Sequence, residues 1–91
     1  VTWCGGITAT LRIIELAAQS GVRVVPHRGG EIWGLHIIAA GLCDDLGELV
    51  LGNRSAQPER LWLDEPQAVD GYLAVTDAPG LGVRLNEKML G

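Results

Sequence analysis

Phenylalanine is missing from these 91 residues, and tyrosine and methionine occur once each. The 47% apolar content is therefore carried by aliphatic side chains and three tryptophans. Positive charge is sparse as well: seven Lys and Arg face eleven Asp and Glu, for a formal net charge of −4. The cations are scattered, so no basic cluster is available to neutralise phosphates, which argues against nucleic acid or an anionic membrane surface as a partner. No apolar run reaches the ~18 residues of a membrane span. Val1-Thr2-Trp3-Cys4 also lacks the basic region and long apolar core of a signal peptide. Cys4 and Cys43 supply neither a disulfide framework nor the paired spacing of a zinc site. Each lies in an apolar stretch, where a free thiol behaves as a small hydrophobe, consistent with a reducing cytoplasm.

What the chain does have is glycine, thirteen in all, which signals turns and close backbone approaches. Val1 to Cys4 is a short apolar stub before Gly5-Gly6 and reads as the tail of a strand. Thr8 is placed to cap a helix over 9–20, with Leu11, Ile14 and Ala18 on one face and Ile7 as a staple. Gly21 suits the position after its end. Val22 to Val25 is a β-branched run stopped by Pro26, which predicts a buried strand delivering His27 to the rim of a sheet. After the glycine-rich loop 26–30, Glu31 opens a second helix reaching Leu42, where its charge suits the helix N-terminus. Leu46 to Leu51 is a further apolar strand, interrupted by Gly47 and Glu48.

Strand, helix, strand, helix, strand at this spacing is the rhythm of parallel βα units. Right-handed crossovers would bring the strand ends to one rim, where barrels keep their chemistry. After Gly52 the character changes. Residues 53–60 form a polar loop, Leu61-Trp62-Leu63 reads as a short strand, and Tyr72–Val75 and Val83–Leu85 flank a turn at Asp77-Ala78-Pro79-Gly80. Three parallel strands with two helices leave faces and edges that parallel sheets normally cover. The chain is therefore expected to be the last part of a larger barrel, 1–52, followed by a segment, 53–91, that packs elsewhere.

The pieces Trp3-Cys4-Gly5-Gly6-Ile7-Thr8, Val24-Val25-Pro26-His27, Gly47-Glu48, Asp64-Glu65-Pro66, Asp70-Gly71-Tyr72 and Asp77-Ala78-Pro79-Gly80-Leu81-Gly82-Val83 follow one another in a familiar order. Together the chain resembles the C-terminal portion of the enolase superfamily, in the mandelate racemase-like subgroup of acid-sugar dehydratases, nearest to rhamnonate dehydratase-like proteins. The resemblance implies an α/β fold: the C-terminal part of a modified (β/α) barrel, from the end of strand six to strand eight. A short β-rich tail would follow, packing on an α+β capping domain. It also implies Mg²⁺ held by carboxylates of the third, fourth and fifth strands, upstream of Val1, and an aspartate just before Val1 that orients the strand-seven histidine.

His27 matches that histidine, the general base. Glu48 matches the strand-eight glutamate that hydrogen-bonds the substrate carboxylate as negative charge builds. Arg28 departs from the small or apolar residue expected beside the histidine and is a candidate for binding a substrate oxygen. Imidazole suits removal of a proton next to a carboxylate, because its ordinary pKa is close to neutral. The expected reaction is a hydro-lyase step giving a 2-keto-3-deoxy acid from a sugar acid. Racemisation or epimerisation is the rival reading, and a barrel-completing piece with no activity of its own is a third. The expected partners are the sugar-acid substrate, the remainder of the barrel and the cap, and other copies in a homo-oligomer.

Plainer readings exist for each residue. A histidine after a strand is otherwise solvated, Glu48 an edge charge and Arg28 a surface charge. Trp33 and His36 read as helix packing, Asp44-Asp45 as a solvated turn, and Gly29-Gly30 as a flexible loop with only a weak claim to cradle an anion.

Overall fold

The computed structural model describes residues 1–50 and 60–91. The chain divides into two compact units, Val1–Val50 and Leu51–Gly91. The polar loop expected over 53–60 lies, but for Arg60, outside the described residues, as does Leu51 at the end of the expected third strand.

In the first unit, the stub expected to be a strand tail is a 3-10 turn over Thr2–Cys4. The Val1 carbonyl accepts from the Cys4 N–H at 3.3 Å and the Gly6 N–H at 3.1 Å. That closure needs Gly5 and Gly6 at φ 107° and 93°, a region glycine enters without steric cost. Helix α1 then covers Ile7–Gln19, with Gly6 and not Thr8 at its N-cap. Thr8 falls inside the helix, and the hydroxyl that matters is that of Thr10, which donates to the Gly6 carbonyl at 2.8 Å.

The C-terminus of α1 closes as the sequence suggests. Gly21, at φ 65°, donates to Ala18 O at 3.1 Å, and Val22 donates to Ala17 O at 2.9 Å. This is the paired bonding of a Schellman motif, which needs a left-handed residue at that position. The buried stripe of α1 is one residue out from expectation. Thr10 is buried and Ile14 and Ala17 are half-buried, while Leu11 and Ala18 are exposed.

The stretches 22–25 and 46–50 run without a ladder of hydrogen bonds among the described residues. Asp44 N–H donates to Val24 O at 3.1 Å, and Gly30 N–H donates to Glu48 O at 2.9 Å. Single bonds of this kind do not make a sheet, which needs regular pairing along the strand. Within the run Val22 and Val25 are exposed and Val24 is half-buried, so β-branched residues alone do not make a strand without a partner. Helix α2 spans Ile32–Ala39, shorter than expected at its C-terminal end, where Gly41 turns the chain at φ 70°. Glu31 is its N-cap in extended conformation. Ile32, Leu35 and Ile37 of α2, at 4%, 7% and 4% exposure, make the core of the unit. No described helix is long and apolar enough to cross a membrane.

In the second unit, strands β1 (Trp62–Leu63) and β2 (Arg84–Leu85) pair antiparallel, with Trp62 opposite Leu85 and Leu63 opposite Arg84. Asn86 extends the pairing, its N–H donating to Leu61 O and its side-chain amide to Arg60 O, both at 2.8 Å. The expected strand over 72–75 is replaced by a minimal hairpin. Val69 and Tyr72 exchange both backbone bonds at 2.9 Å. Asp70 and Gly71 sit between them at φ 50° and 81°. Positive φ at both central residues is the type I′ geometry that Asp-Gly favours. Arg84 grips Asp64 through Nε–Oδ2 at 2.6 Å and Nη2–Oδ1 at 3.3 Å. Hydrogen bonding to Arg84 holds the Asp64 carboxyl below its usual range, and the same bonding, helped by the Asp64 charge, raises the Arg84 guanidinium.

Candidate active site

The candidate residues meet on a turn between the 22–25 stretch and α2. Gly29 N–H donates to Pro26 O at 2.8 Å and Glu31 N–H to Arg28 O at 3.0 Å, so His27 and Arg28 sit at the centre of a hydrogen-bonded turn. Arg28 has φ 53°, the third position of a turn that usually carries glycine or asparagine. A bulky residue held there is strained, and such strain clusters at functional sites.

Glu48 offsets that strain. Its Oε2 accepts the Arg28 backbone N–H at 2.7 Å and lies 3.0 Å from His27 Nδ1. One carboxylate oxygen thus serves both the strained backbone and the imidazole. With Nδ1 engaged, Nε2 is the nitrogen left for proton transfer. Among the described residues Glu48 Oε1 takes no hydrogen bond. The Arg28 guanidinium pairs with Glu31 through Nη2 and Oε1, leaving further donors of its planar fork for an anion.

His27, Arg28 and Glu31 line a cleft of about 420 Å³ together with Trp3, Trp33 and Gly34, a volume suited to a small molecule. The Trp3 and His27 ring centroids are 5.5 Å apart and tilted by 44°. The structure sets Glu48 against the turn that carries His27 and Arg28, and of the three, His27 and Arg28 line the cleft. The sequence reading missed Trp3 and Glu31 as site residues. Glu31 had a signal, three residues after Arg28 at a helix start, whereas Trp3 gave none beyond being aromatic in a short stub.

The loop at Gly29-Gly30 is neither open nor a cradle, because both N–H groups are already spent, on Pro26 O and Glu48 O. A Cβ on Gly29 would fall 2.8 Å from Pro26 O and 2.9 Å from Ile38 Cδ1. Asp44, expected in a solvated turn, accepts from Arg23 Nε at 2.7 Å and from Leu46 N–H at 3.2 Å. The Arg23 hydrogen bond holds its carboxyl below the usual range. Burial, helped by the Asp44 charge, pushes the Cys43 thiol up, which suits a structural thiol. Cys4 is exposed and bonds Thr10 Oγ1 through Sγ at 3.1 Å. Among the described residues no group of three His, Cys, Asp or Glu side chains could hold a metal ion. The resemblance assigns its Mg²⁺ to carboxylates of the third, fourth and fifth strands, not to these residues.

Residues 1–89 match the family described as Enolase C-terminal domain-like. The chain belongs to that family, and the fold it represents is part of a (β/α) barrel. Among curated proteins it is similar to the L-rhamnonate dehydratase of Saccharopolyspora erythraea, 36% identical over 98% of this chain. It is also similar to a Caldivirga maquilingensis protein named "Putative L-rhamnonate dehydratase", 34% identical over 99% of this chain. The chain spans only 24% of the length of each. No solved structure matches it significantly.

Proposed function

We propose that the chain is the part of a sugar-acid dehydratase, a hydro-lyase, that carries the general base. The observation that carries this reading is His27 Nδ1 held 3.0 Å from Glu48 Oε2 at the edge of a small-molecule cleft, in a member of this family. The names of the two relatives support the same reaction class. In this reading residues 1–52 supply the barrel from the end of strand six to strand eight. Residues 53–91 return to a capping domain, and the protein assembles as a homo-oligomer.

His27 Nε2 removes the proton from the carbon next to the substrate carboxylate, and the electron pair moves into an enediolate. Breaking the neighbouring C–O bond expels the hydroxyl, which leaves as water with a proton delivered by an acid. The resulting enol tautomerises to the 2-keto-3-deoxy acid. His27, now protonated and steadied by Glu48, is positioned to be that acid. Glu48 stays on the imidazole and the Arg28 backbone N–H, and Arg28 offers its remaining donors to a substrate oxygen. In this reading Mg²⁺ would be held by carboxylates of the third, fourth and fifth strands, which this chain does not supply, and would stabilise the enediolate.

His27→Asn in the full-length protein should abolish formation of keto-deoxy acid from a panel of sugar acids supplied with Mg²⁺, followed by NMR. Undiminished turnover would sink the assignment. An epimer in place of the keto-deoxy acid would move the protein to racemisation or epimerisation.

A further inference from the structure

Resting on the dehydratase reading, we propose that Arg28 and Glu31 form a donor–acceptor couple that reads one hydroxyl of the substrate. Glu31 stands at the N-cap of α2, yet its side chain makes no cap hydrogen bond. Acidic side chains at a helix start ordinarily serve its unpaired N–H groups or its dipole. Here Oε1 goes to Arg28 Nη2, so the carboxylate is turned towards the loop that carries the base.

Arg28 is held at three points. Its backbone N–H donates to Glu48 Oε2 at 2.7 Å, its carbonyl accepts the Glu31 N–H at 3.0 Å, and its guanidinium meets Glu31. Its backbone, at φ 53°, would suit glycine or asparagine better than arginine. All of these bonds run between Arg28, Glu31 and Glu48, and none needs a residue from elsewhere in the protein.

Arg28 directly follows the base, and both side chains of the couple line the cleft beside it. A guanidinium carries several donors and a carboxylate several lone pairs, and the contact between them uses only part of each. The donors alone would suit any substrate oxygen, but the neighbouring carboxylate decides which kind. A hydroxyl accepts from Arg28 and donates to Glu31 at once, whereas a carboxylate placed there would meet a like charge. A site built this way rejects the analogue that lacks the hydroxyl, because polar partners are then left unpaired.

The test measures kcat/KM in the full-length protein for a sugar acid that it turns over, and for analogues each lacking one hydroxyl beyond the two reacting carbons. In the wild type one deletion should cost about 10- to 100-fold, the worth of hydrogen bonds to charged groups. In Glu31→Ala that same deletion should cost little, while the others keep their wild-type cost. Glu31→Gln, which keeps an acceptor without the charge, should fall between, and it decides the matter if the alanine variant does not fold. A residue that merely supports the turn would slow every acid by one common factor. That outcome, or the absence of any deletion whose cost shrinks in the variants, overturns the couple and leaves the dehydratase reading standing. A wild type that turns over no sugar acid overturns that reading, and the couple with it.

Discussion

A Cβ on Gly34 would stand 2.6 Å from the Cα of Gly29 and 2.8 Å from its carbonyl oxygen. Helix α2 and the turn that carries His27 therefore meet backbone against backbone. Neither partner is a flexible side-chain tip that could swing aside. Gly34→Ala should cost about 1–3 kcal/mol, as overpacking does. Urea unfolding of wild type and variant checks this, and an equal midpoint would show that the turn yields freely.

Glu48 separates into two tasks by substitution. Glu48→Gln keeps an oxygen for the Arg28 N–H but removes the charge beside His27. Glu48→Ala removes both. Stability should fall by about 0.5–1.5 kcal/mol in the alanine variant only, the net worth of an ordinary hydrogen bond. Turnover should fall in both. Thermal melts and steady-state rates on the same preparations distinguish the two tasks.

Acid should act on this protein late. Arg23 and Arg84 lower the Asp44 and Asp64 carboxyls in the folded chain. A carboxyl lowered on folding contributes stability that is complete above its unfolded pKa, about 3.9, and is lost as pH falls through the lower folded value. The contribution of these pairs should therefore be complete from neutral pH down to about pH 5 and be lost progressively between about pH 4 and the lower folded values. Urea midpoints measured across that interval should show the loss, and Asp64→Asn should remove its share. Raised salt should weaken the exposed Arg84–Asp64 pair.

The hairpin at Asp70-Gly71 gives a local prediction. Gly71 holds φ 81°, where an L side chain costs roughly 1–2 kcal/mol. Gly71→Ala should destabilise the second unit by that amount, whereas Gly71→Asn should cost less. Hydrogen exchange at the Val69 and Tyr72 amides reports it directly.

Local signals in the sequence survived into the structure where the chemistry was local. Gly21 ended α1 because its position needs a positive φ, and Glu31 stands at the start of α2, where its charge suits the helix N-terminus. What failed depended on neighbours. The stretch 22–25 was read as a strand from its β-branched residues, but strand character comes from pairing, which no residue types encode alone. The expected stripe of α1 kept Ile14 but not Leu11 or Ala18, and Thr10 is buried instead because its hydroxyl is satisfied by the Gly6 carbonyl. Asp70-Gly71 forms the I′ turn that this dipeptide favours, where a strand was expected to begin at Tyr72. Trp3 was invisible as a site residue, since its partner lies twenty-four positions away and only the fold introduces them.

The tight seat of the His27 turn also sets where this cleft can be remodelled. Gly29 and Gly34 have no room for even a methyl group, so the floor under the imidazole is closed to redesign. Changes in the size or shape of what the cleft admits must come from residues with side chains facing that space, such as Thr2, Ile13 and Trp33. A library confined to those positions would reshape the cleft while leaving the His27 turn seated, whereas side chains added at Gly29 or Gly34 would work against the packing beneath it.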